Sequence, residues 1–229
     1  MRFPIALSLF WALTAAMSHT AAAATPPAVG DTAVYRLVNA HNREVLSQLT
    51  YQVQSAGSDR ISYLVTPDKA AGGMEHVEIV TGDGNWLRHP VASHSDFVDY
   101  EFAQPFPAYV LPLEPGKRWS LRVSARAPGD SRTRSVRVDG VVLGIERVRV
   151  PAGEFEAVKI RRSIYPGDAE YMLTETQVYE IDWYVPALAR SVRLEARSQY
   201  FDNRLSRGNR IVNGSWTVLE LAELPKAAR

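Results

Sequence analysis

Residues 119–126 read Trp-Ser-Leu-Arg-Val-Ser-Ala-Arg, and every second position from Trp119 to Ala125 is apolar. Successive side chains of a β-strand point to opposite faces, so this stretch predicts a strand with one apolar face. The other face carries polar side chains, including Arg122 and Arg126. Such a two-sided strand is typical of an antiparallel sheet that packs on one side and meets water on the other.

The same alternation recurs along the chain, at residues 49–54 and 192–197. Turn signals such as Pro-Gly-Asp at 128–130 and 166–168 separate the apolar runs at short intervals. No stretch of about a dozen residues has clean helical periodicity. The sequence therefore predicts an all-β fold of about 10–13 strands. We expect a strongly curved antiparallel sheet, half-barrel or barrel-like, with a β-sandwich as the alternative.

A proline-rich segment interrupts this pattern at residues 105–115. It holds four prolines, with Phe106, Tyr109 and Leu111 among the residues between them. Proline cannot donate a hydrogen bond to a strand ladder, so we predict a crossover that covers the open side of the sheet. The chain has no other long linker, repeat or low-complexity tract, and residues 25–229 are predicted to form a single β domain.

Residues 146–165 predict a β-hairpin. Pro151 fixes φ at the turn, and Gly153 can adopt the positive φ that follows it. We expect the stretch before the turn to be a strand of its own, separate from the strand that precedes it. The return strand is expected to contain a bulge between Phe155 and Val158.

The hairpin carries the motif V-x-V-P-A-G-x-F-x-A-x-K-I at residues 148–160. It is followed by W-Y-x-P at 183–186 and R-x-V at 190–192. This arrangement resembles a group of uncharacterised bacterial envelope proteins, secreted β domains of unknown function, over about residues 112–222. The resemblance implies an antiparallel sheet curled like the half-barrels of lipoprotein carriers. It implies no activity, because fold does not determine function.

The first residues predict export. Arg2 precedes an apolar run of 13 residues at 5–17, and small residues at 21–24 offer a cleavage site. We interpret residues 1–24 as a secretory signal peptide and expect a periplasmic or secreted protein. The run is shorter than the roughly 20 residues that cross a bilayer as a helix, so no transmembrane anchor is predicted. The chain has no cysteine, which excludes disulfides, thiol catalysis and a lipid-modified cysteine.

Charge and motif content favour a protein that binds rather than catalyses. The 26 basic and 25 acidic residues nearly cancel, whereas dedicated nucleic-acid binders are usually basic. Neither G-x-S-x-G nor S-x-x-K occurs, so we predict no catalytic residues and no cofactor. His89 and His94 are five residues apart and are interpreted as loop residues rather than metal ligands. Glu180 and Asp182 share one strand face and are a weak candidate for an acid–base pair.

Aromatic residues give the strongest binding hypothesis. Nine of them lie in predicted strands or at strand ends: Trp86, Trp119, Trp183, Trp216, Tyr35, Tyr51, Tyr63, Phe155 and Tyr184. Such side chains either fill a core or line an apolar groove in a curved sheet. Arginines on the polar face of residues 118–126 could meet an acidic group, or could be an ordinary solvated face.

The predicted contact residues are four aromatic and two basic side chains: Trp119, Phe155, Trp183, Tyr184, Arg122 and Arg126. We therefore expect a periplasmic, non-catalytic binding protein whose partner is a lipid or other apolar or amphiphilic ligand, or an envelope protein. One alternative is an envelope hydrolase with dispersed catalytic residues. Another is a structural or chaperone-like component of an envelope assembly.

Overall fold

The structure is a computed structural model that describes residues 27–68, 74–93, 97–167, 172–204 and 210–226. The predicted signal peptide, residues 1–24, lies outside these ranges. The described residues form twelve strands and one short 3-10 helix at Pro186–Leu188. The strands are β1 Thr32–Asn39, β2 Val45–Ala56, β3 Ile61–Pro67, β4 His76–Val80, β5 Trp86–Ala92, β6 Phe97–Phe106, β7 Arg118–Arg126, β8 Arg134–Val150, β9 Gly153–Tyr165, β10 Leu173–Val185, β11 Arg190–Asp202 and β12 Arg210–Lys226.

The strands form one closed antiparallel barrel. Each strand pairs with its neighbours in sequence, and β1 pairs with β12 to close the circle. Closure gives every strand two partners and leaves no free sheet edge between first and last strands. The all-β, barrel-like architecture predicted from the alternating pattern is confirmed.

One seam of the barrel is loosely paired. β6 and β7 are in register only at Glu101–Arg126 and Phe102–Ala125. Along β7, Trp119, Val123 and Ala125 are buried as the alternation predicts. Leu121 belongs to the same face but is 47% exposed. Leu121 lies beyond the two positions at which β7 pairs with β6, so it has no paired neighbour on β6.

The long β8–β9 hairpin refines the prediction for residues 146–165. Val150 pairs with Gly153, so the turn has two residues, and Gly153 has a φ of 140°. The expected separate strand before the turn is wrong, because β8 is continuous over 17 residues. The expected bulge between Phe155 and Val158 is also wrong. The register shifts instead next to Gly144, whose φ of 148° only glycine adopts easily.

The buried side chains form two main clusters that the hairpin and the proline-rich segment help to cover. The first fills the barrel between β5 and β10 and includes Trp119 and Tyr184. The second joins the hairpin tip to β1, β10 and β12 and includes Trp183. At that tip, the Ala152 N–H donates a hydrogen bond to the Leu221 carbonyl at 3.1 Å. No helix in the described part of the chain is long and apolar enough to cross a bilayer.

Candidate functional site

The connection between β6 and β7, residues 107–117, is here termed the plug segment; residues 107–109 are buried, whereas most of residues 111–117 are exposed. Its early residues are held from three directions. The Trp119 indole N–H donates to the Pro107 carbonyl at 3.0 Å, the Tyr109 N–H donates to Asn85 Oδ1 at 2.8 Å, and Arg162 Nη1 donates to the Ala108 carbonyl at 3.1 Å. The predicted crossover began at residue 105, but its first two residues belong to β6.

Arg162 is the centre of a buried ionic network beside the plug segment. Its side chain is 1% exposed, and it donates to Glu180 Oε2 and Asp182 Oδ2 at 2.8 Å each. The Tyr109 hydroxyl also donates to Asp182 Oδ2, at 2.8 Å. Burial lowers the pKa of Arg162, but Asp182 and Glu180 outweigh it and raise the pKa above the usual value. One guanidinium therefore binds both carboxylates, which do not form an isolated acid–base pair.

A second polar cluster surrounds Glu78 on β4. The Tyr51 hydroxyl donates to Glu78 Oε1 at 3.1 Å, and His89 Nδ1 lies 2.9 Å from Glu78 Oε2. His76 Nε2 lies 3.4 Å from Oε1. Burial raises the pKa of Glu78, but the charge of His89 and the hydrogen bonds from both histidines hold it well below the usual range. The hydrogen bond to Glu78 in turn raises the pKa of His76.

Both polar clusters face a small cavity of about 110 Å³ inside the barrel. Its wall includes the phenol side chains of Tyr35, Tyr51 and Tyr63 from the first three strands. Burial raises the pKa of Tyr35, and burial together with Glu78 raises the pKa of Tyr51. Tyr35 and Tyr51 are therefore neutral at ordinary pH, and their hydroxyls donate to the Ser191 carbonyl and to Glu78 Oε1.

A larger cavity of about 350 Å³ lies against the first. Its wall is largely apolar and includes five side chains from the barrel end: Ala33, Val53, Ile61, Leu188 and Leu224. The two cavities share the wall residues Tyr51, Tyr63, Val80, Ala189 and Arg190. The two therefore adjoin, and we term them together the end cavity, with aliphatic side chains on the wall of the larger chamber and charged and phenolic side chains on the wall of the smaller one.

Arg190 stands where the two parts of the end cavity meet. The short helix ends at Ala189, which has a φ of 49°, and β11 begins with Arg190. The guanidinium carbon lies 5.3 Å from the ring centre of Tyr63 and 5.8 Å from that of Tyr35. These are cation–π distances, and Arg190 also hydrogen-bonds the Tyr63 side chain.

The structure separates the six predicted contact residues. Trp119 and Tyr184 pack in the first cluster, where the Tyr184 ring lies 4.3 Å from that of Tyr109. Phe155 and Trp183 pack in the second cluster. Arg122 and Arg126 are exposed on β7. None of the six lines the end cavity, and their role as contact residues stays a prediction.

The prediction that His89 is a loop residue is wrong, because β5 is continuous from Trp86 to Ala92, and the prediction for His94 is not tested. His89 lies in β5 and pairs with Glu78, whereas His94 lies outside the described residues. Within the described ranges, no group of three or more histidine and carboxylate side chains is arranged to hold a metal ion.

The sequence already contained the end-cavity residues, but not their grouping. Tyr35, Tyr51 and Tyr63 belonged to the predicted aromatic set, and they lie on the consecutive strands β1, β2 and β3. Arg190 is the first residue of the R-x-V motif, and Arg162 follows the K-I that ends the longer motif. Motif membership was therefore an available signal for Arg190, but not for Arg162, which lies two residues beyond the longer motif.

This chain has few matches among known proteins. No protein-family model matches the chain, and no curated protein matches it. Two solved structures are similar. A protein of Bacteroides fragilis NCTC 9343 with a YmcC-like fold, inferred to be exported, has 16% identity and a TM-score of 0.49, covering 88% of this chain and 98% of that one. An inferred lipoprotein of Parabacteroides distasonis ATCC 8503 has 15% identity and a TM-score of 0.48, covering 88% and 97%.

Likeness at this level carries no statement about what the chain binds or where it works. The resemblance to secreted bacterial β domains and the expected periplasmic location both stay predictions.

Proposed function

We propose that the chain is a non-catalytic, periplasmic or secreted binding protein for a small amphiphile, which occupies the end cavity. The observation that carries this proposal is the adjoining pair of chambers, one of about 350 Å³ whose wall includes aliphatic side chains such as those of Ala33 and Leu224, and one of about 110 Å³ whose wall includes charged and phenolic side chains. Ligand sites are typically concave and mainly apolar, with a few polar groups that orient the ligand. An amphiphile matches this division, with its tail in the larger chamber and its head near the charged and phenolic side chains of the smaller one.

The area that such a ligand buries sets the expected affinity. Burial of about 300 Å² of apolar surface at ~25 cal/mol/Å² contributes roughly 7 kcal/mol before the costs of ordering. Micromolar dissociation constants correspond to about 8 kcal/mol. We therefore expect affinity in the micromolar range or weaker, which suits a protein that loads and releases its ligand.

The buried carboxylates support binding over catalysis. Glu180 and Asp182 are both bound by Arg162, with N–O distances of 2.8 Å. A buried ion pair of this kind is costly to break, so neither group is set to exchange protons with a substrate. The network instead fixes the inner wall of the barrel beside the plug segment.

The test blocks the chamber at its exposed rim. Leu224 lines the larger chamber and is 48% exposed, so tryptophan there fills the entrance without overpacking the core. Ile211 on the same strand is 60% exposed and lines neither chamber, which makes Ile211→Trp the matched control. The readout is titration with cis-parinaric acid, a fluorescent long-chain amphiphile.

We expect saturable binding near one ligand per chain, at least tenfold weaker in Leu224→Trp and unchanged in Ile211→Trp. Absence of saturable binding by the wild-type protein to charged and neutral amphiphiles alike overturns the proposal.

A second candidate, an envelope hydrolase, is favoured by one observation. His89 and Glu78 form a pair at 2.9 Å on the wall of the smaller chamber. A base and the carboxylate that orients it are two of the three members of a hydrolytic triad. A panel of esterase and glycosidase substrates, with heat-inactivated protein and His89→Gln as controls, tests it. Turnover that His89→Gln abolishes would support the hydrolase, and turnover equal to the heated control would exclude it for those substrates.

A further inference from the structure

We infer that the bound amphiphile carries an anionic headgroup, a carboxylate or a phosphate, which the guanidinium of Arg190 holds between the two chambers. This inference rests on the proposed function and specifies the class of ligand. It is carried by the contrast between two arginines that face the same cavity and differ in their partners.

Arg162 has its charge neutralised by the protein. Two carboxylates lie 2.8 Å from its nitrogens, and a backbone carbonyl accepts from a third nitrogen at 3.1 Å. The oxygens of Glu78 are likewise engaged, because His89 contacts Oε2 and His76 contacts Oε1. The acidic groups on this wall are therefore already engaged by cationic or hydrogen-bonding partners.

Arg190 lacks such a partner. Among the described residues, no carboxylate lies within 4.0 Å of its guanidinium, and its neighbours are the Tyr35 and Tyr63 rings. A half-buried cation whose environment consists of phenols retains most of its capacity to bind an anion. Guanidinium is also the side chain whose fork of N–H donors best matches carboxylate and phosphate oxygens.

The position of Arg190 fits a headgroup rather than a free ion. It borders both chambers, and the larger one is walled by Val53, Ile61 and Leu188. A headgroup bound at Arg190 would leave an apolar tail directly in contact with that wall. The Tyr63 side chain also lies on the shared boundary, and its hydroxyl can donate to the same anion.

The experiment compares charged and neutral ligands of equal chain length. Dissociation constants are measured for a sixteen-carbon carboxylic acid, the matching alkyl phosphate and the matching alcohol, by displacement of cis-parinaric acid. The proteins are wild type, Arg190→Gln, Arg190→Lys and Arg197→Gln. Arg197 is the matched control, because it lies on the same strand, is exposed and has its guanidinium carbon 5.0 Å from the Tyr179 ring.

We expect Arg190→Gln to weaken the acid and the phosphate at least tenfold while the alcohol changes less than twofold. Arg190→Lys should recover part of the loss, and Arg197→Gln should match wild type. Stronger discrimination for the acid or for the phosphate identifies which anion the site prefers. Equal weakening of all three ligands would overturn the inference, because Arg190 would then only shape the cavity. Binding of the alcohol shows that the variant is folded, and failure of every ligand on wild type overturns the proposed function instead.

Discussion

The indole ring of Trp119 lies across Gly140 on the neighbouring strand, in the place that a side chain at position 140 would occupy. The two residues are partners in the β7–β8 register. A Cβ atom built on Gly140 would lie 2.1 Å from indole Cε2. The glycine thus lets the indole lie flat on the sheet and reach the carbonyl of Pro107 in the plug segment.

Gly140→Ala should destabilise the protein by about 1–3 kcal/mol or more, because the indole must leave its position and the core becomes overpacked. Urea denaturation followed by tryptophan fluorescence measures this loss. Gly82→Ala is the control, since the atom nearest to its built Cβ is 3.7 Å away. Equal stability of the two variants would show that the indole can move at no cost.

Arg162→Met should lower the free energy of unfolding by about 3–5 kcal/mol, because it leaves Glu180 and Asp182 buried without a cation. Arg161→Met is the control, since the neighbouring Arg161 is exposed on the outer face of the same strand. Thermal and urea unfolding of both variants give the comparison. If the two substitutions cost the same, the buried network contributes nothing specific to stability.

Tyr109→Phe should destabilise the protein by about 1.5–3 kcal/mol, because its hydroxyl donates to the buried carboxylate of Asp182 at 2.8 Å. Oδ1 of the same carboxylate already has no hydrogen-bond partner among the described residues. Tyr184→Phe serves as the control, because this ring packs on Tyr109 and has a pKa of about 12 owing mainly to burial. Hydrogen exchange of the plug-segment amides reports whether the segment loosens. Identical exchange in both variants would argue against a tethering role for Tyr109.

Stability should depend on pH through Glu78. Its pKa in the folded protein is lowered, chiefly because His89 and His76 outweigh the effect of burial. A lowered carboxyl pKa contributes stability above the unfolded pKa, near 4.5, and this contribution disappears as pH falls further toward the folded value. The wild type should therefore exceed Glu78→Gln by about 1–3 kcal/mol at pH 6, with the difference shrinking below about pH 4.5.

Urea denaturation between pH 3 and 7 measures this difference, with Glu101→Gln as control because the Glu101 side chain is 58% exposed. The same variant predicts a second change. The pKa of His76 is raised by its hydrogen bond to Glu78, so Glu78→Gln should bring it back toward 6.5 in an NMR titration. If the difference in unfolding free energy between wild type and Glu78→Gln stays constant across the pH range, Glu78 is not the source of the pH dependence.

The strands were predictable because each one shows the period of two that a half-buried sheet imposes. The same period places two of the predicted contact residues in different clusters. Trp183 and Tyr184 are adjacent in β10, so their side chains point to opposite faces and enter different clusters. The proline-rich segment was recognisable as a break in the ladder, because proline lacks the N–H that a strand must donate.

The end cavity could not be predicted from a sequence pattern, because it depends on which strands meet when the barrel closes. Tyr35 in β1 and Arg190 in β11 are far apart in sequence, yet the ring and the guanidinium are 5.8 Å apart. Alternation shows which face each residue takes, but not the curvature that brings two inward faces together. Nothing in the local sequence shows that Arg162 has two carboxylate partners, Glu180 and Asp182, whereas Arg190 faces phenol rings.

The β1–β12 seam has a kinetic consequence. Every other ladder joins strands that follow each other along the chain, so those hairpins form after short loop closures. The β1–β12 ladder pairs Thr32 with Lys226, so it can form only after nearly the whole chain between them has been brought together. Docking of the terminal strands is therefore the slow step expected in refolding. Until it occurs, the sheet is open, and β1 and β12 are edge strands that can pair with another chain. This open form would be the species most exposed to self-association.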